Sequence, residues 1–189
     1  MSTSERHLVL DSTNTVITAT VRWFGVVPVT VAFPRLHGGL ELGEECLTRS
    51  SLRVDVEAGS ASTGIGLRDR HLRGARFLFA DLHPFVSFRS ASARREGGQL
   101  IVVGTLSLRG HEAIVAATCP VDDLSTGGTT VDLCGAFTIS RAQFDVGRPR
   151  GLAGRNPLFL AIADAVDVRV RIRVPVAAVR PALPVAAPR

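Results

Sequence analysis

Residues 165–174 read AVDVRVRIRV. Val166, Val168, Val170, Ile172 and Val174 alternate with Asp167, Arg169, Arg171 and Arg173, a period of two that puts the branched apolar side chains on one face of an extended chain and the charges on the other. A helix would scatter both sets around its circumference. The stretch therefore predicts a strand with one face in a core and one in water. Arg169, Arg171 and Arg173 are read as the solvent face. They also form the one stripe from which contact with nucleic acid or an anionic surface would be built.

The same period recurs upstream. In SLRVDVEA, Leu52, Val54 and Val56 share one face while Arg53, Asp55 and Glu57 share the other. Further strand-like runs are TVITATVRWF, VTVAF, GGLELG, FVSFRSASA, QLIVVGTLSL, EAIVAATCPV and TTVDLCGAFTIS. Turn signals fall between several of them, at Glu96-Gly97-Gly98, at Arg109-Gly110-His111, and from Asp122-Asp123 to Gly127-Gly128. About eight short strands with hairpin-length turns predict an all-β protein built on an antiparallel sheet or barrel. Helical pattern is confined to LRDRHLRGARFLF after Gly66, interrupted by Gly74, and to PLFLAIADA after Asn156. Both are read as insertions between strands. Beyond Pro175 the chain turns to repeated proline and alanine, which predicts a folded domain over 1–178 and a Pro/Ala-rich flexible tail over 179–189.

A chain of 189 residues is the size of one ordinary domain, and it is 46% hydrophobic and 21% charged. Apolar runs fall short of the roughly 18–20 residues a membrane-spanning helix needs. The opening MSTSERHLVLDSTNTV carries early charges and no apolar core of a secretory signal, so a cytoplasmic location is expected. Cys46, Cys119 and Cys134 include no CxxC pair and are read as free thiols, not as a zinc site or a disulfide framework. Cys119 and Cys134 lie symmetrically about Thr126 and Gly127, so a hairpin turning there would make them cross-strand neighbours, able to pair in an oxidising setting. Formal net charge is +5, and every one of the 22 Lys+Arg residues is arginine. These arginines are scattered, which argues against a nucleic-acid tract.

A closed sheet of about eight strands is filled by side chains or holds one small ligand. Inward sets rich in small residues, such as Val115, Ala117, Leu133, Gly135 and Phe137, leave room for a ligand, while the segment around Phe77 and Phe79 is the alternative plug. The stretch LRDRHLRGARFLFADLHPFVSFRS, residues 67–90, crowds Arg68, Asp69, Arg70, His71, Arg73 and Arg76 against Phe77, Phe79, Phe85 and Phe88. Greasy and charged chemistry meet there.

In order and spacing, RDxHL at Arg68, Asp69, His71 and Leu72, HPxxxFxS from His83, GxLxLxG from Gly104, and the closing FDVGRP with IADAVDVRVRIRV resemble the YceI family of lipocalin-like, polyisoprenoid-binding proteins. The resemblance runs from DSTNTVITATVRWFGVVPVTVAF and GGLEL through to the last strand. It implies a lipocalin-like antiparallel β-barrel of about eight strands with a short helical insertion, enclosing a long apolar channel for an isoprenoid chain. Family members are often dimeric and often exported. Departures are the missing export signal, Asn14 where a histidine is usual, and Trp23 where an Arg-His pair is common.

On that resemblance the expected role is non-catalytic binding or carriage of an isoprenoid lipid, a polyprenyl diphosphate or a quinone, with no cofactor and no metal. Candidate ligand-binding residues are Arg22, Phe24, Arg68, His71, Phe77, Phe79, Phe85, Phe88, Leu106 and Phe137. The phenylalanines would line the channel, and Arg68, His71 and Arg22 would sit near the polar head, guanidinium being suited to phosphate oxygens. A homodimer is the allowed assembly, and no nucleic acid is expected. Three alternatives stand beside this reading. RDxHL is structural, with Asp69 capping or pairing; Asp69, His71, His83, Ser87 and Ser90 supply the residue types of a hydrolytic site, without a GxSxG or HExxH pattern; or the Arg169, Arg171 and Arg173 stripe binds an anionic surface.

Overall fold

The alternation in AVDVRVRIRV is the inner part of a longer strand in the computed structural model, which describes residues 7–43, 47–121, 128–147 and 161–179. The strands are β1 (His7–Leu10), β2 (Thr15–Trp23), β3 (Val27–Ala32), β4 (Leu36–Glu41), β5 (Ser51–Glu57), β6 (Phe85–Glu96), β7 (Gln99–Leu108), β8 (His111–Pro120), β9 (Thr130–Ser140) and β10 (Ile162–Pro175). Helices α1 (Gly66–Arg73) and α2 (Val176–Val179) are the α-helical segments among the described residues. Every strand pairing is antiparallel, in the order β1-β4-β5-β6-β7-β8-β9-β10-β2-β3.

Two connections curl this sheet. Residues 11–14 join β1 to β2 and residues 33–35 join β3 to β4, although β1 and β3 are the opposite outer strands of the order. A four-residue link reaches at most about 17 Å, so the two ends of the sheet must lie side by side. Ala32 and Ser62 exchange backbone hydrogen bonds of 2.8 and 2.9 Å across the gap. The result is a curled antiparallel half-barrel, lipocalin-like, with ten strands where the sequence predicts about eight. The extra count comes from short elements such as β1, four residues with too little length to show a period.

Inside, Ile17, Leu40, Val54, Val56, Ile172 and Val174 belong to one buried cluster. A second cluster lies under α1 and includes Ala58, Leu78, Leu106, Val115 and the fully buried Phe144. Helix α2 follows Pro175, which pairs with Thr130 at the start of β9, and it contributes Ala178 and Val179 to the first cluster. That closes the end of the sheet away from α1. Val179, placed by the sequence at the start of the tail, is fully buried; residues 180–189 lie outside the described residues.

The helical expectation divides. LRDRHLR is α1, ending at Gly74 as its glycine predicts. PLFLAIADA is corrected at its described end, since Ile162, Ala163 and Asp164 already belong to β10. Arg141 donates to the carbonyls of Ala163 and Ile162 at 3.0 Å each, and Asp164 accepts from the Ala142 N–H at 2.9 Å. Long-range polar contacts outweigh the local pattern. Asn156 and the residues up to Leu160 lie outside the described residues.

Candidate functional site

Alternation along each strand turns one side-chain set inward, and small or unbranched members of that set leave space. Ala19, Ala93, Ala117 and Gly135 stand where larger residues would fill the centre, and a cavity of about 910 Å³ results. That lies at the upper end of the range for small-molecule sites, about 300–1,000 Å³. Its wall is overwhelmingly aliphatic and aromatic. Basic lining residues are Arg68, Arg70, His71, Arg76 and Arg141, and no carboxylate lines the cavity among the described residues.

Those basic residues gather at one end. Trp23, the last residue of β2, pairs with Ile162, the first of β10. Arg141 bonds the Ile162 carbonyl and, through Nη1, the Gly147 carbonyl at 3.1 Å. Gly147 in turn donates its N–H to the Arg76 carbonyl at 2.7 Å. The β2–β3 hairpin and the segment after α1 are thus linked around one mouth, where Arg70, His71, Ala75 and Arg76 are exposed while lining the cavity. In the same wall the Trp23 indole Nε1–H is enclosed and has no hydrogen-bond partner among the described residues. A buried donor left unpaired costs on the order of 1–3 kcal/mol, so this N–H is a ready donor to an oxygen brought in by a ligand.

Helix α1 is positioned by polar clamps. Asp69 is buried and accepts from the Ser62 hydroxyl at 2.8 Å, the Thr63 N–H at 2.7 Å and the Thr63 hydroxyl at 2.5 Å. The Thr63 hydroxyl and backbone, with Ser62, hold its carboxyl below the usual carboxylate range against the opposing effect of burial. Arg68 Nε donates to the Thr63 hydroxyl at 2.7 Å, and Arg73 Nε to the Ala61 carbonyl at 2.9 Å. The buried Arg109 side chain bridges the Phe77 and Asp145 carbonyls at 2.8 and 2.7 Å.

Of the ten candidate residues, Arg68, His71, Phe77, Phe88, Leu106 and Phe137 line the cavity. Four stand elsewhere. Ile17, Ala19, Val21 and Trp23 form the inner face of β2, so Arg22 points outward, where it pairs with Asp167 at 3.4 Å. Phe24 sits in the exposed hairpin turn, stacked on Trp23 at 5.9 Å. Phe79 packs edge-on against His83. Phe85, exposed, packs edge-on against His37, because β6 turns Val86 and Phe88 inward. Cys119 and Cys134 are neighbours whose side chains leave opposite faces of the sheet, Cys119 into the cavity wall and Cys134 to solvent, and both are free. Cys46 lies outside the described residues.

A model of the YceI-like domain matches residues 8–174. The chain belongs to the YceI-like family. Curated YceI proteins of Salmonella arizonae and Salmonella newport are 32% identical over 78 residues, a match spanning 41% of this chain and 41% of theirs. Among solved structures, Burkholderia cenocepacia BcnA superposes with a TM-score of 0.74 at 19% identity, covering 87% of this chain and 99% of that one. A polyisoprenoid-binding domain from Saccharophagus degradans, implicated in plant cell wall breakdown, gives 0.65 at 16% identity over 90% and 98%. At such identities the likeness is one of fold.

Within this YceI-like fold, residues of the hydrolytic alternative have separate partners. Asp69 is held by Ser62 and Thr63, the Ser87 hydroxyl donates to Asp55 at 2.5 Å, and Ser90 Oγ accepts the Leu52 N–H at 2.8 Å. Arg70, Arg76, Arg141 and Trp23 complete the mouth, and none was singled out as a ligand residue from sequence. The signal for two of them was present. Extending the odd-numbered inner set of β9 by one residue reaches Arg141, and doing so on β2 reaches Trp23 in place of Arg22 and Phe24.

Proposed function

We propose that the protein binds, without chemistry of its own, one amphiphilic isoprenoid lipid, with the tail in the cavity and an oxygen-rich head, diphosphate or quinone, at the arginine-bearing mouth. The observation that carries this reading is the distribution of polarity over one 910 Å³ cavity: an aliphatic interior, with Arg68, Arg70, His71, Arg76 and Arg141 at a single end and no carboxylate in the lining among the described residues. Burying a tail contributes about 25 cal/mol for each Å² of apolar surface removed from water. A charged head would be costly anywhere deeper, and is tolerable beside guanidinium groups in contact with water. The Trp23 N–H supplies a directed donor for a head-group oxygen. Membership of a family whose structural relatives include a polyisoprenoid-binding domain agrees with this assignment.

Gly135 provides the test. It lines the cavity, and a Cβ there would meet only the Val170 carbonyl at 4.0 Å, an ordinary contact. Gly135→Leu should extend into the empty interior without disturbing the sheet. Purified protein is incubated with a polyprenyl diphosphate or an isoprenoid quinone and weighed by native mass spectrometry. The expected result is a one-to-one complex for the natural chain and at least a tenfold loss of binding for Gly135→Leu at unchanged melting temperature. An empty natural chain, or a Gly135→Leu protein that loads equally well, would overturn the proposal.

A further inference from the structure

The tip of the β2–β3 hairpin is built against the ordinary chemistry of turns. Val26 donates its N–H to the Trp23 carbonyl at 3.2 Å, and Phe24 and Gly25 have φ of 51° and 73°. Two successive left-handed residues make a type I′ turn, whose first central position favours Asn, Asp or Gly. Here a phenylalanine occupies it, at a backbone conformation that disfavours bulky side chains. In exchange Phe24 stacks on Trp23 and donates its N–H to the Ala161 carbonyl, yet its side chain stays 69% exposed and that of the neighbouring Val26 75%. From Trp23 to Pro28 the tip, WFGVVP, contains no polar side chain that accepts or donates except the indole N–H. A run of exposed apolar residues at a hairpin tip points to a surface made for something other than water.

Its position names the occupant. Trp23 lines the mouth from the hairpin side, and α1 flanks it from the other. On α1, Leu67, 63% exposed, is three and four residues from Arg70 and His71 and shares their face. Beside Trp23, which lines the mouth, stand the exposed Phe24, Val26 and Val27 of the tip, and Leu67 shares the α1 face of Arg70, which with Arg76 lines the cavity; together they make an apolar and cationic rim. Apolar side chains that enter the acyl boundary beside arginines that meet phosphate are the makeup of an interfacial docking surface. The indole of Trp23 suits the level of the head groups between them.

We propose that this rim is a membrane-docking face, and that it seats the open end of the cavity on an anionic lipid bilayer. The proposal rests on the lipid-binding reading for its purpose, because a cargo insoluble in water would pass from bilayer to cavity without crossing solvent. It does not rest on that reading for its test.

Phe24→Asn is the decisive variant, since Asn-Gly is a favoured type I′ pair and the substitution removes the apolar tip while relieving the turn. The protein is sedimented with vesicles of phosphatidylcholine alone and with 30% phosphatidylglycerol, free of isoprenoid. The natural chain should partition onto the anionic vesicles at least tenfold more strongly than onto the neutral ones. Phe24→Asn combined with Val26→Thr should lose at least tenfold in that partition, with a melting temperature equal to or above that of the natural chain. Gly135→Leu should dock as the natural chain does, even though it is emptied of lipid, so failure of docking and failure of cargo binding are read separately. A natural chain that stays in the supernatant, equal partition onto neutral vesicles, or a Phe24→Asn/Val26→Thr protein that docks undiminished would each overturn the proposal.

Discussion

Gly104 shows what the spaced motifs do at the level of single residues. A Cβ at this position would collide with the Arg89 carbonyl and with the ring of Phe88, so the missing side chain on β7 is what lets Phe88 lie flat against its neighbour strand and line the cavity. In the same GTLSLRG stretch, Leu106 and Leu108 are the buried inner pair, and Gly110, at φ 74°, turns the chain into β8. The motif is thus a packing device next to a binding surface. Gly104→Ala is expected to destabilise the fold by about 1–3 kcal/mol, the usual cost of overpacking a close approach, as measured by urea denaturation. Because Phe88 must move, isoprenoid loading should fall with it. A variant as stable as the natural chain would show that β6 and β7 can part without cost at the register shift between Ser90 and Ser92, where Gly104 pairs. Asn14 is a second residue explained by local structure. Its Nδ2 donates to the Val9 carbonyl at 2.8 Å and its Oδ1 accepts from the Thr15 hydroxyl at 2.8 Å, so it ties the β1–β2 link that curls the sheet and lies away from the mouth.

Among the elements, α1 depends most on its surroundings. Eight residues are too few for a helix to hold in water by itself, and its only buried residue is Asp69, a carboxylate. Its place is set by hydrogen bonds: Asp69 onto Ser62 and Thr63, Arg73 onto Ala61, and, just downstream, Arg109 onto the carbonyls of Arg76, Phe77 and Asp145. Arg109→Ala should therefore cost on the order of 2–3 kcal/mol, since charged hydrogen bonds are replaced by carbonyls with no donor in a buried place. Its specific signature is faster amide exchange over residues 74–80, with the ladder amides of β7 and β8 still protected; uniform loss of protection would indicate that Arg109 supports the whole sheet and not this segment. The same contrast explains what could be read in the sequence. Strands such as β5, β9 and β10 were legible, because a period of two follows directly from burying one face. The cavity was legible only as unfilled volume in the inner sets, through Ala117 and Gly135. The mouth was legible only in part: the alternation of β9 and β2 reaches Arg141 and Trp23, but the segment carrying Arg76 is brought there by carbonyl contacts of Arg109 and Arg141 at which neighbours in sequence do not hint. Within RDxHL, Asp69, read as capping or pairing, accepts from Ser62 and Thr63, while the head-group candidates Arg68 and His71 both line the cavity, Arg68 with its Nε held by the Thr63 hydroxyl and His71 exposed at the mouth.

For the molecule as a whole, composition and placement of charge set how stability responds to pH. Burial pushes the Asp55 carboxyl up, but the Ser87 hydroxyl with Arg89 and Arg53 outweighs it, and the net shift is downward from 3.8. Thr63 and Ser62 lower Asp69, the Thr13 hydroxyl lowers Asp11, and Arg173 lowers Asp132. In each case the native state holds its proton more weakly than the unfolded chain does, so the stabilisation is complete above about pH 4 and is lost as pH falls through the lowered values. On the alkaline side the chain is unusual: it has no lysine and no tyrosine, and arginine keeps its proton throughout the accessible range. Cys119 shifts in the opposite sense, its thiol pushed up from 9.0 by burial in the cavity wall. The unfolded chain therefore releases that proton first, and the corresponding stabilisation, whole below pH 9, declines as pH rises beyond it. Urea midpoints measured from pH 3 to pH 11 should accordingly fall below pH 4, stay level across the neutral range, and fall again above pH 9. Cys119→Val, close in volume and without a titrating group, should flatten the alkaline fall and leave the acid one untouched. An isoprenoid bound against Cys119 keeps water from the thiol and raises the cost of its ionisation further, so the loaded protein should show a steeper alkaline fall than the empty one. Equal slopes for the two would place the tail away from Cys119, toward the α1 end of the cavity.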